Sequence, residues 1–572
     1  MSGMVIEQAT TEVRCASDTT TEMPAATPEP GSDAHREQFE IDDGGTLATN
    51  VAENEVNYPK GVKLAAISSA LIIVLMVLGL DISIVAVTIP ALSDQFQSIQ
   101  DIAWYSTALQ LVMCSFMFLW GKAYTLFSVK WLFMTSLATF EAGNVLCTFA
   151  QSSRMFIAGR AICGFGCAGL SGGVFTIFTH TFPLRQRALV TGLAGAIETL
   201  ACIASPVVGG ALITGWTWRA CFGINIPLGL IGCGVIYVCL HLDPNPDENL
   251  SLKEKIKRLD LLGTAILAPA MLCLLLALQW GGTLYRWDDT RVIALFVLSG
   301  VLLSGFLLTE WRLGEKASLP FRILRNRSLL AGAFFDHCCN ATVTVIEYYM
   351  SIYFQGVRGY SAAKTGVFAL PVVVGVCIAS PLAGGFTTWI GYYFPTMYVP
   401  AVLASVAVGI LTTIDIDTSI AQVLCVLALL GFGIGAGIQA PQVAAQTVLK
   451  QSEVSIGISI VQFGAQMGPV LFLAGGAALF TNRLQDEIEK HSPTTNATSL
   501  ENMGLTDIRN ALGPVALKGV LTGYNEALVQ TLYLPLALAC VSIIGCVLIE
   551  RKSVKKEAQN DSQSQEQNLD TA

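Results

Sequence analysis

LAAISSALIIVLMVLGLDISIVAVTIP, residues 64–90, is an apolar stretch in which Asp81 is the single charged residue. A helix needs about 20 apolar residues to cross a bilayer core roughly 30 Å thick, so this stretch predicts a membrane-spanning helix. Thirteen further stretches of the same kind follow it, beginning near residues 102, 130, 155, 188, 220, 261, 292, 329, 363, 396, 420, 455 and 530. The pattern predicts an all-α polytopic membrane protein with fourteen transmembrane helices.

The composition of the 572-residue chain agrees with a membrane protein, because 53% of its residues are hydrophobic and only 13% are charged. About a quarter of the residues of an ordinary soluble domain are charged, so a soluble enzyme with one large core is excluded. The net charge of -9 comes from residues 1–59, which hold twelve acidic and two basic residues. The remaining Lys and Arg residues form no basic stripe, and we expect no nucleic-acid partner.

Metal, cofactor and nucleotide chemistry have no support in the sequence. The five histidines and sixteen cysteines are scattered, without the spacing of zinc ligands. A GxxxxGKS or GxxxxGKT phosphate loop does not occur, so ATP hydrolysis by this chain is not expected. We therefore expect neither an enzyme nor a metal or cofactor site.

The charges of the loops orient the chain in the membrane. With both termini in the cytoplasm, about twenty Lys and Arg residues lie in or beside the cytoplasmic loops and about ten lie outside. This orientation predicts a disordered acidic cytoplasmic tail (1–59), an N-terminal six-helix half (60–242), a cytoplasmic connector with inserted helices seven and eight (243–328), a C-terminal six-helix half (329–549) with an outside loop (481–528), and a cytoplasmic C-terminal tail (550–572).

Three short motifs of the first half recur in the same order in the second. Gly164-Phe165-Gly166 in helix four matches Gly431-Phe432-Gly433 in helix twelve, 267 residues later. The motif after helix two, Gly121-xxx-Thr125, matches Gly384-xxx-Thr388, and Ala201-xxx-Ser205-Pro206 in helix five resembles Gly464-xxx-Gly468-Pro469, each 263 residues later. The offset pairs helices one to six with helices nine to fourteen, so the sequence predicts two parallel repeats about an axis along the membrane normal.

Three motifs resemble those of a known transporter family. LDISIVAVTIP (80–90) is similar to the LDxTIVNVALP signature, Arg160-xxx-Gly164-x-Gly166 to RxxxGxG, and ASPVVGG in helix five to GPxxGG with Ser205 in place of glycine. The chain thus resembles the fourteen-helix drug:proton antiporters of the major facilitator superfamily. LALQWGG (276–282) and YYMSIYFQGVRGYSAAKTG (348–366) are similar to fungal toxin and secondary-metabolite efflux pumps.

The resemblance implies the major facilitator fold and residues for helix packing and gating. The superfamily pattern GxxxDRxGRR after helix two survives only at Gly121 and Lys130, with Thr125 in place of the aspartate, which puts a charged gate there in doubt. Small residues allow close helix contact, and prolines allow bending. The set assigned to packing and gating is Gly121, Lys130, Gly164, Gly166, Pro206, Gly209, Gly210, Gly468 and Pro469.

Ionisable residues inside predicted spanning helices are candidates for proton coupling or for lining the substrate cavity. Such a residue costs free energy in lipid, so it usually faces a polar cavity or a partner. The candidates are Asp81, Arg160, Glu198, Asp336 and Glu347, with Glu141 as a further one. Asp336 and Glu347 are eleven residues, about three turns, apart and so share a helix face. Structural ion pairs and helix-anchoring hydrogen bonds are the alternative roles.

The resemblance implies export of a small organic molecule by proton antiport with alternating access between the halves. Uptake of a siderophore or another nutrient is the alternative transport function, and a non-transporting membrane sensor is the alternative of another class. The expected partners are the bilayer, the substrate and protons, and we expect a monomer in the plasma membrane, with the vacuolar membrane as the alternative. Asn496 is a sequon in the predicted outside loop and is the expected glycosylation site.

Overall fold

The computed structural model describes residues 58–98, 101–242, 250–282, 284–491 and 514–555. The long helices are α1 (Gly61–Phe96), α2 (Ile102–Leu126), α3 (Val129–Thr148), α4 (Ser153–Thr181), α5 (Leu184–Gly215), α6 (Arg219–Gly223) continued by α7 (Asn225–Cys239), α9 (Leu261–Trp280), α10 (Thr290–Leu313), α12 (Arg327–Ile352), α13 (Ala362–Ile390), α14 (Phe394–Leu411), α15 (Ile420–Gly435) continued by α16 (Ala440–Val448), α17 (Val454–His491) and α18 (Pro514–Leu548). Two short helices, α8 (Leu252–Arg258) and α11 (Phe321–Leu324), lie in the connections.

The fourteen predicted segments are all helical. Thirteen of them are long and apolar enough to cross a membrane. The remaining one is α3, whose 20 residues include Lys130 and Glu141 and which packs against α4, α6 and α7. The predicted fold class is confirmed.

Helical structure extends into the outside loop predicted over residues 481–528. Helix α17 continues to His491, and α18 already begins at Pro514. The added helical turns carry polar residues, such as Glu487, which accepts a hydrogen bond from Gln530 at 3.0 Å. Hydropathy marks the part of a helix inside the bilayer, whereas polar residues continue the helix beyond it. Asn496 and almost all of the predicted N-terminal tail lie outside the described residues.

The two halves share one packing scheme. In the first half α1 packs against α5 and α7, and in the second half α12 packs against α17 and α18. Likewise, the α2–α4 and α3–α4 contacts correspond to α13–α15 and α14–α15. The halves have separate hydrophobic cores, one around Phe133 and Leu170 and the other around Tyr393 and Leu430. The internal repeat of the sequence is therefore visible in the packing.

The repeated glycines lie where backbones touch. A Cβ on Gly164 of α4 would lie 2.3 Å from the Leu109 carbonyl oxygen of α2, and a Cβ on Gly431 of α15 would lie 1.8 Å from that of Val372 in α13. Side chains cannot fit at these distances, so only glycine permits the contact. Gly210 differs from the prediction, because a Cβ there would meet no atom within 4 Å, and helix packing does not explain it.

Gly431→Ala should lower the thermal stability of the protein. The added methyl group forces α13 and α15 apart, and overpacking of this kind costs about 1–3 kcal/mol. Thermal unfolding in detergent measures the effect. Gly210→Ala is the matched control and should unfold at the same or a slightly higher temperature, because alanine favours helices by about 1 kcal/mol over glycine. Equal unfolding midpoints for the two variants would contradict the close contact at Gly431.

The halves meet along two reciprocal seams, in which α2 packs against α17 and α5 packs against α13. A Cβ on Gly121 would lie 2.5 Å from the Ser459 hydroxyl, and one on Gly384 would lie 2.5 Å from the Ala188 carbonyl oxygen. Helices α9 and α10 pair with each other, and α9 also packs against α2 and α17. The inserted pair therefore covers the α2–α17 seam from the outside.

Candidate functional site

A cleft lies between the halves near the middle of the bundle. Glu198 of α5, with Ser171 and Phe175 of α4, lines it from the first half, and Gln462 and Gln466 of α17 line it from the second. The cleft has one carboxylate and two amides among apolar walls, which is the composition of a site for a small, mostly apolar molecule.

Few hydrogen bonds join the two halves across the cleft, and they are concentrated toward one end of the bundle. At this end of the bundle, α2 and α4 end and α5 and α17 begin. We call this end the terminal face. Near it, Ser380 donates to the Gly192 carbonyl oxygen at 2.9 Å, and Gln451 donates to the Thr179 hydroxyl at 2.7 Å. At mid-depth, Gln110 donates to Gln466 at 2.6 Å. In the described ranges, no hydrogen bond between the halves is found toward the opposite face, so the halves are held together at the terminal face.

Asp81 and Arg160 form a fully buried ion pair inside the first half. The Arg160 Nη1 atom donates to Asp81 Oδ2 at 2.7 Å, with the two side chains 1% and 0% exposed. The arginine also donates to the Tyr105 carbonyl oxygen at 3.2 Å, and Asn225 donates to Asp81 Oδ1 at 3.2 Å. Helices α1, α2, α4 and α7 thus meet at one ion pair.

The ion pair is separate from the cleft surface. The residue after Asp81, Ile82, lines the cleft, whereas Asp81 itself points into the helix packing of its own half. A buried ion pair is weak support for stability, because desolvation offsets the attraction, but breaking it leaves an unpaired buried charge.

Of two other predicted residues, Glu198 lines the cleft, whereas Glu347 lines a separate pocket of the second half with Met350 and Phe354. Glu198 of α5 and Glu347 of α12 both lie within electrostatic reach of the Cys202 thiol. Glu198 is half-buried, and Glu347 is exposed. The structure thus places one carboxylate of each half near Cys202, with only Glu198 at the cleft.

Asp336 lies apart from Glu347, although the spacing predicted a shared face. Its side chain is 2% exposed within the second half, beside Cys339. One carboxylate oxygen, Oδ1, has no hydrogen-bond partner in the described part of the chain. Helix periodicity places two residues on one face, but the neighbouring helices decide which of them reaches a cavity.

The packing and gating residues have several different environments. Gly166 lies against Phe140 of α3, and Gly468 lies against the His337 carbonyl oxygen of α12, where a Cβ would approach to 2.2 Å. Gly209 faces Ile84 more loosely, at 3.0 Å for a Cβ. Lys130 donates to the Tyr237 carbonyl oxygen at 2.6 Å near the end of α7. Pro206 lies inside α5 and Pro469 inside α17, and each of these two helices contributes to one seam between the halves.

The terminal face carries a charged joint that sequence reasoning did not identify. Arg322, just before α12, pairs with Glu315 at 3.1 Å and also with Glu453, which precedes α17. The two carboxylates, Glu453 first, raise the pKa of the Arg322 guanidinium. Lys122 of α2 donates to the Glu315 carbonyl oxygen at 3.1 Å. The inserted segment, residues 243–328, therefore connects the first half to the second. The connection lies close to Thr125, the residue that replaces the aspartate of the superfamily motif.

The opposite face has its own polar joint at Asp101. This carboxylate accepts hydrogen bonds from the hydroxyls of Ser153 at 2.5 Å and Ser98 at 2.6 Å. The two bonds, that of Ser153 first, lower the pKa of Asp101. The joint therefore stabilises the protein at pH values above the ordinary carboxyl pKa of about 4, and it is lost as the pH falls through the lowered value.

Several polar residues of the site were missed by sequence reasoning. Asn144 and Asn225 are fully buried beside Asp81, and Gln462 and Gln466 line the cleft. Uncharged amides in apolar helices give a weak signal, because their cost in lipid is far below that of a charge. A polar residue one turn from an acid, as in Glu141-xx-Asn144, is the signal that could have found the first of them.

In the described residues, Glu487, His491 and Glu526 form a group with the donor atoms of a metal site. The Lys490 ammonium group, however, donates to Glu487 at 2.6 Å. The cationic partner of Glu487 is thus a side chain of the protein itself.

Comparisons with known proteins agree with this architecture. The chain matches the model of the Major Facilitator Superfamily over residues 71–473. It is 39% identical over 518 residues to the MFS-type efflux pump MFS1 of Trichophyton rubrum, covering 90% of this chain and 97% of the relative. It is 36% identical over 515 residues to the efflux pump roqT of Penicillium rubens, covering 90% and 94%, and 35% identical over 498 residues to the efflux pump aflT of Aspergillus parasiticus, covering 87% and 97%.

Solved structures show the same fold. The proton:xylose symporter XylE matches with a TM-score of 0.54 at 12% identity, covering 86% of this chain and 97% of the symporter. The human organic anion transporter MFSD10 matches with a TM-score of 0.54 at 11% identity, covering 84% and 100%. The chain is a multi-pass membrane transporter rather than an enzyme, and it belongs to the major facilitator superfamily.

Proposed function

We propose that this protein exports a small, mostly apolar organic molecule, such as a fungal secondary metabolite, toxin or drug, by proton antiport with alternating access. The cleft between the halves carries this proposal, because Glu198 is placed among the amides of Gln462 and Gln466 and apolar side chains. A proton antiporter needs a carboxylate that exchanges a proton and an apolar surface that holds the substrate, both in the same cavity. The relatives named as efflux pumps support the direction of transport.

The proposed units are the two six-helix halves, 60–242 and 329–549, which rock against each other about the cleft. With both termini in the cytoplasm, the terminal face is the cytoplasmic face. The inter-half bonds at Gly192 and Thr179 then close the cytoplasmic side, and the described conformation is the one that faces outward. Proton binding to the Glu198 carboxylate from the outside and release of the substrate there complete half of the cycle. We place the transporter in the plasma membrane as a monomer.

Energised efflux tests the proposal. Cells that lack their own pumps and express this chain are loaded with a panel of apolar dyes and fungal metabolites, and efflux is measured with and without a protonophore. We expect at least one compound to leave faster than from control cells, and we expect the protonophore to remove the difference. Accumulation of a compound in the expressing cells would overturn export and favour uptake, and efflux that persists with the protonophore would overturn proton coupling.

A further inference from the structure

A buried carboxylate lies behind the Asp81–Arg160 pair, on the side away from the cleft. Glu141 of α3 is 8% exposed and lies against the backbone of α7, where a Cβ added to Gly229 would be 1.9 Å from Glu141 Oε1. Glycine at position 229 is therefore what makes room for this carboxylate. The cleft described above does not include Glu141 among its lining residues.

Unpaired polar atoms gather at this point. Neither carboxylate oxygen of Glu141 accepts a hydrogen bond of ordinary geometry, and Asn144 Nδ2 and Asn225 Oδ1 likewise lack partners in the described ranges. Asn144, one turn after Glu141 on α3, is the polar side chain that interacts with it. Buried polar groups are normally hydrogen-bonded, and a water molecule needs two to four such partners. This group of donors and acceptors therefore forms a built site for water and a proton.

The polar site is connected to the ion pair. Asn225 Nδ2 donates to Asp81 Oδ1 at 3.2 Å and to Asn144 Oδ1 at 3.2 Å. The ionisable groups packed around Glu141 are Asp81 of α1, Arg160, Cys163 and Cys167 of α4, and Cys233 of α7. Arg160 is the single permanent cation in this group, and its guanidinium is bonded to Asp81. Both carboxylates cannot be ionised there without an unpaired buried charge, so one proton belongs to the pair.

We propose that Glu141 is a second proton-binding residue of the first half, which exchanges a proton with Asp81 through water held by Asn144 and Asn225. In one direction, the Glu141 hydroxyl gives its proton to the water, and the water gives a proton to Asp81. Asp81 becomes neutral, Glu141 becomes the counter-ion of Arg160, and the net charge of the site is unchanged. This inference rests on the proposed proton antiport, to which it adds a second proton-binding site outside the cleft.

Infrared difference spectroscopy of the purified protein in lipid nanodiscs tests the exchange without any substrate. Spectra at acid and alkaline pH are subtracted, and the carbonyl band of a protonated buried carboxyl group is followed. We expect one such band to disappear in Glu141→Gln. We also expect the band in Asp81→Asn to titrate at a pH lower by about one unit or more, because Arg160 then has only Glu141 as its counter-ion.

Two variants keep the test interpretable. Glu141→Asp retains a carboxyl group, so its band should move rather than vanish, which covers the case that Glu141→Gln does not fold. Glu310→Gln removes a buried carboxyl group from α10 of the inserted pair. Glu310 is not among the ionisable groups packed around Glu141, so this variant should leave the Glu141 band unchanged. A wild-type spectrum without a Glu141 band, or a band whose titration ignores Asp81→Asn, would overturn the exchange even if efflux is proton-driven. Conversely, a coupled band together with efflux that resists a protonophore would overturn the proposed antiport and leave the proton site in place.

Discussion

Asp81→Asn should reduce proton-driven efflux to the level of cells without the protein, and it should also lower the thermal stability of the protein. Asparagine fills the space of aspartate but removes the carboxylate that is bonded to the Arg160 guanidinium, which is 1% exposed. Removing one partner of a buried ion pair costs about 3–5 kcal/mol. Loss of transport in this variant alone would therefore not separate coupling from folding.

The double variant Asp81→Asn/Arg160→Gln makes that separation. With both charges removed, the buried polar side chains are neutral, and replacing a whole buried ion pair is often close to neutral in free energy. We expect thermal unfolding in detergent to return most of the way to the wild-type midpoint, while efflux remains at background. A double variant that exports its compound with full sensitivity to a protonophore would show that the pair is structural. A double variant less stable than either single one would contradict the pairing itself.

Glu198→Gln should abolish gradient-driven efflux with little change in stability. Glu198 is half-buried at the cleft and makes no ion pair in the described part of the chain, so glutamine replaces it without leaving an unpaired charge. A permanently neutral group mimics the protonated carboxyl and cannot release a proton. In proteoliposomes that contain the compound found by the efflux panel, we expect downhill exchange to continue while transport driven by a pH gradient stops.

The matched control for Glu198→Gln is Asp486→Asn. Asp486 is 61% exposed near the end of α17, where its carboxylate is 4.0 Å from Arg483. Exposed pairs of this kind contribute about 0–1 kcal/mol, so both stability and gradient-driven transport should match the wild type. Gradient-driven transport by Glu198→Gln at the wild-type rate would exclude Glu198 as the proton carrier of the cleft.

The sequence was sufficient to locate most of the long helices. Apolar runs placed the start of α9 at residue 261 and of α15 at residue 420, as the structure has them. The start of α18 was placed near residue 530 instead of Pro514, because Lys518 and Glu526 interrupt the hydropathy there without interrupting the helix. An apolar run marks the part of a helix that lies in lipid. It does not mark polar helical turns that continue into water.

The site was less predictable than the fold. The charges of Asp81 and Arg160 marked both residues, but nothing in a single sequence joins two positions 79 residues apart into one ion pair. The spacing of Asp336 and Glu347 predicts one face of α12, yet Glu347 is exposed and Asp336 is buried. Depth along a helix and the identity of its neighbours are three-dimensional quantities that helix periodicity does not contain.

The inserted helices make a nearly symmetric molecule one-sided. The α2–α17 seam is covered by α9, whereas the packing contacts described for α5 and α13 include no helix of the insert. A molecule dissolved among the lipid tails therefore meets a shielded flank on one side and a bare one on the other. Two seams that are equivalent in the internal repeat therefore differ in their exposure to lipid.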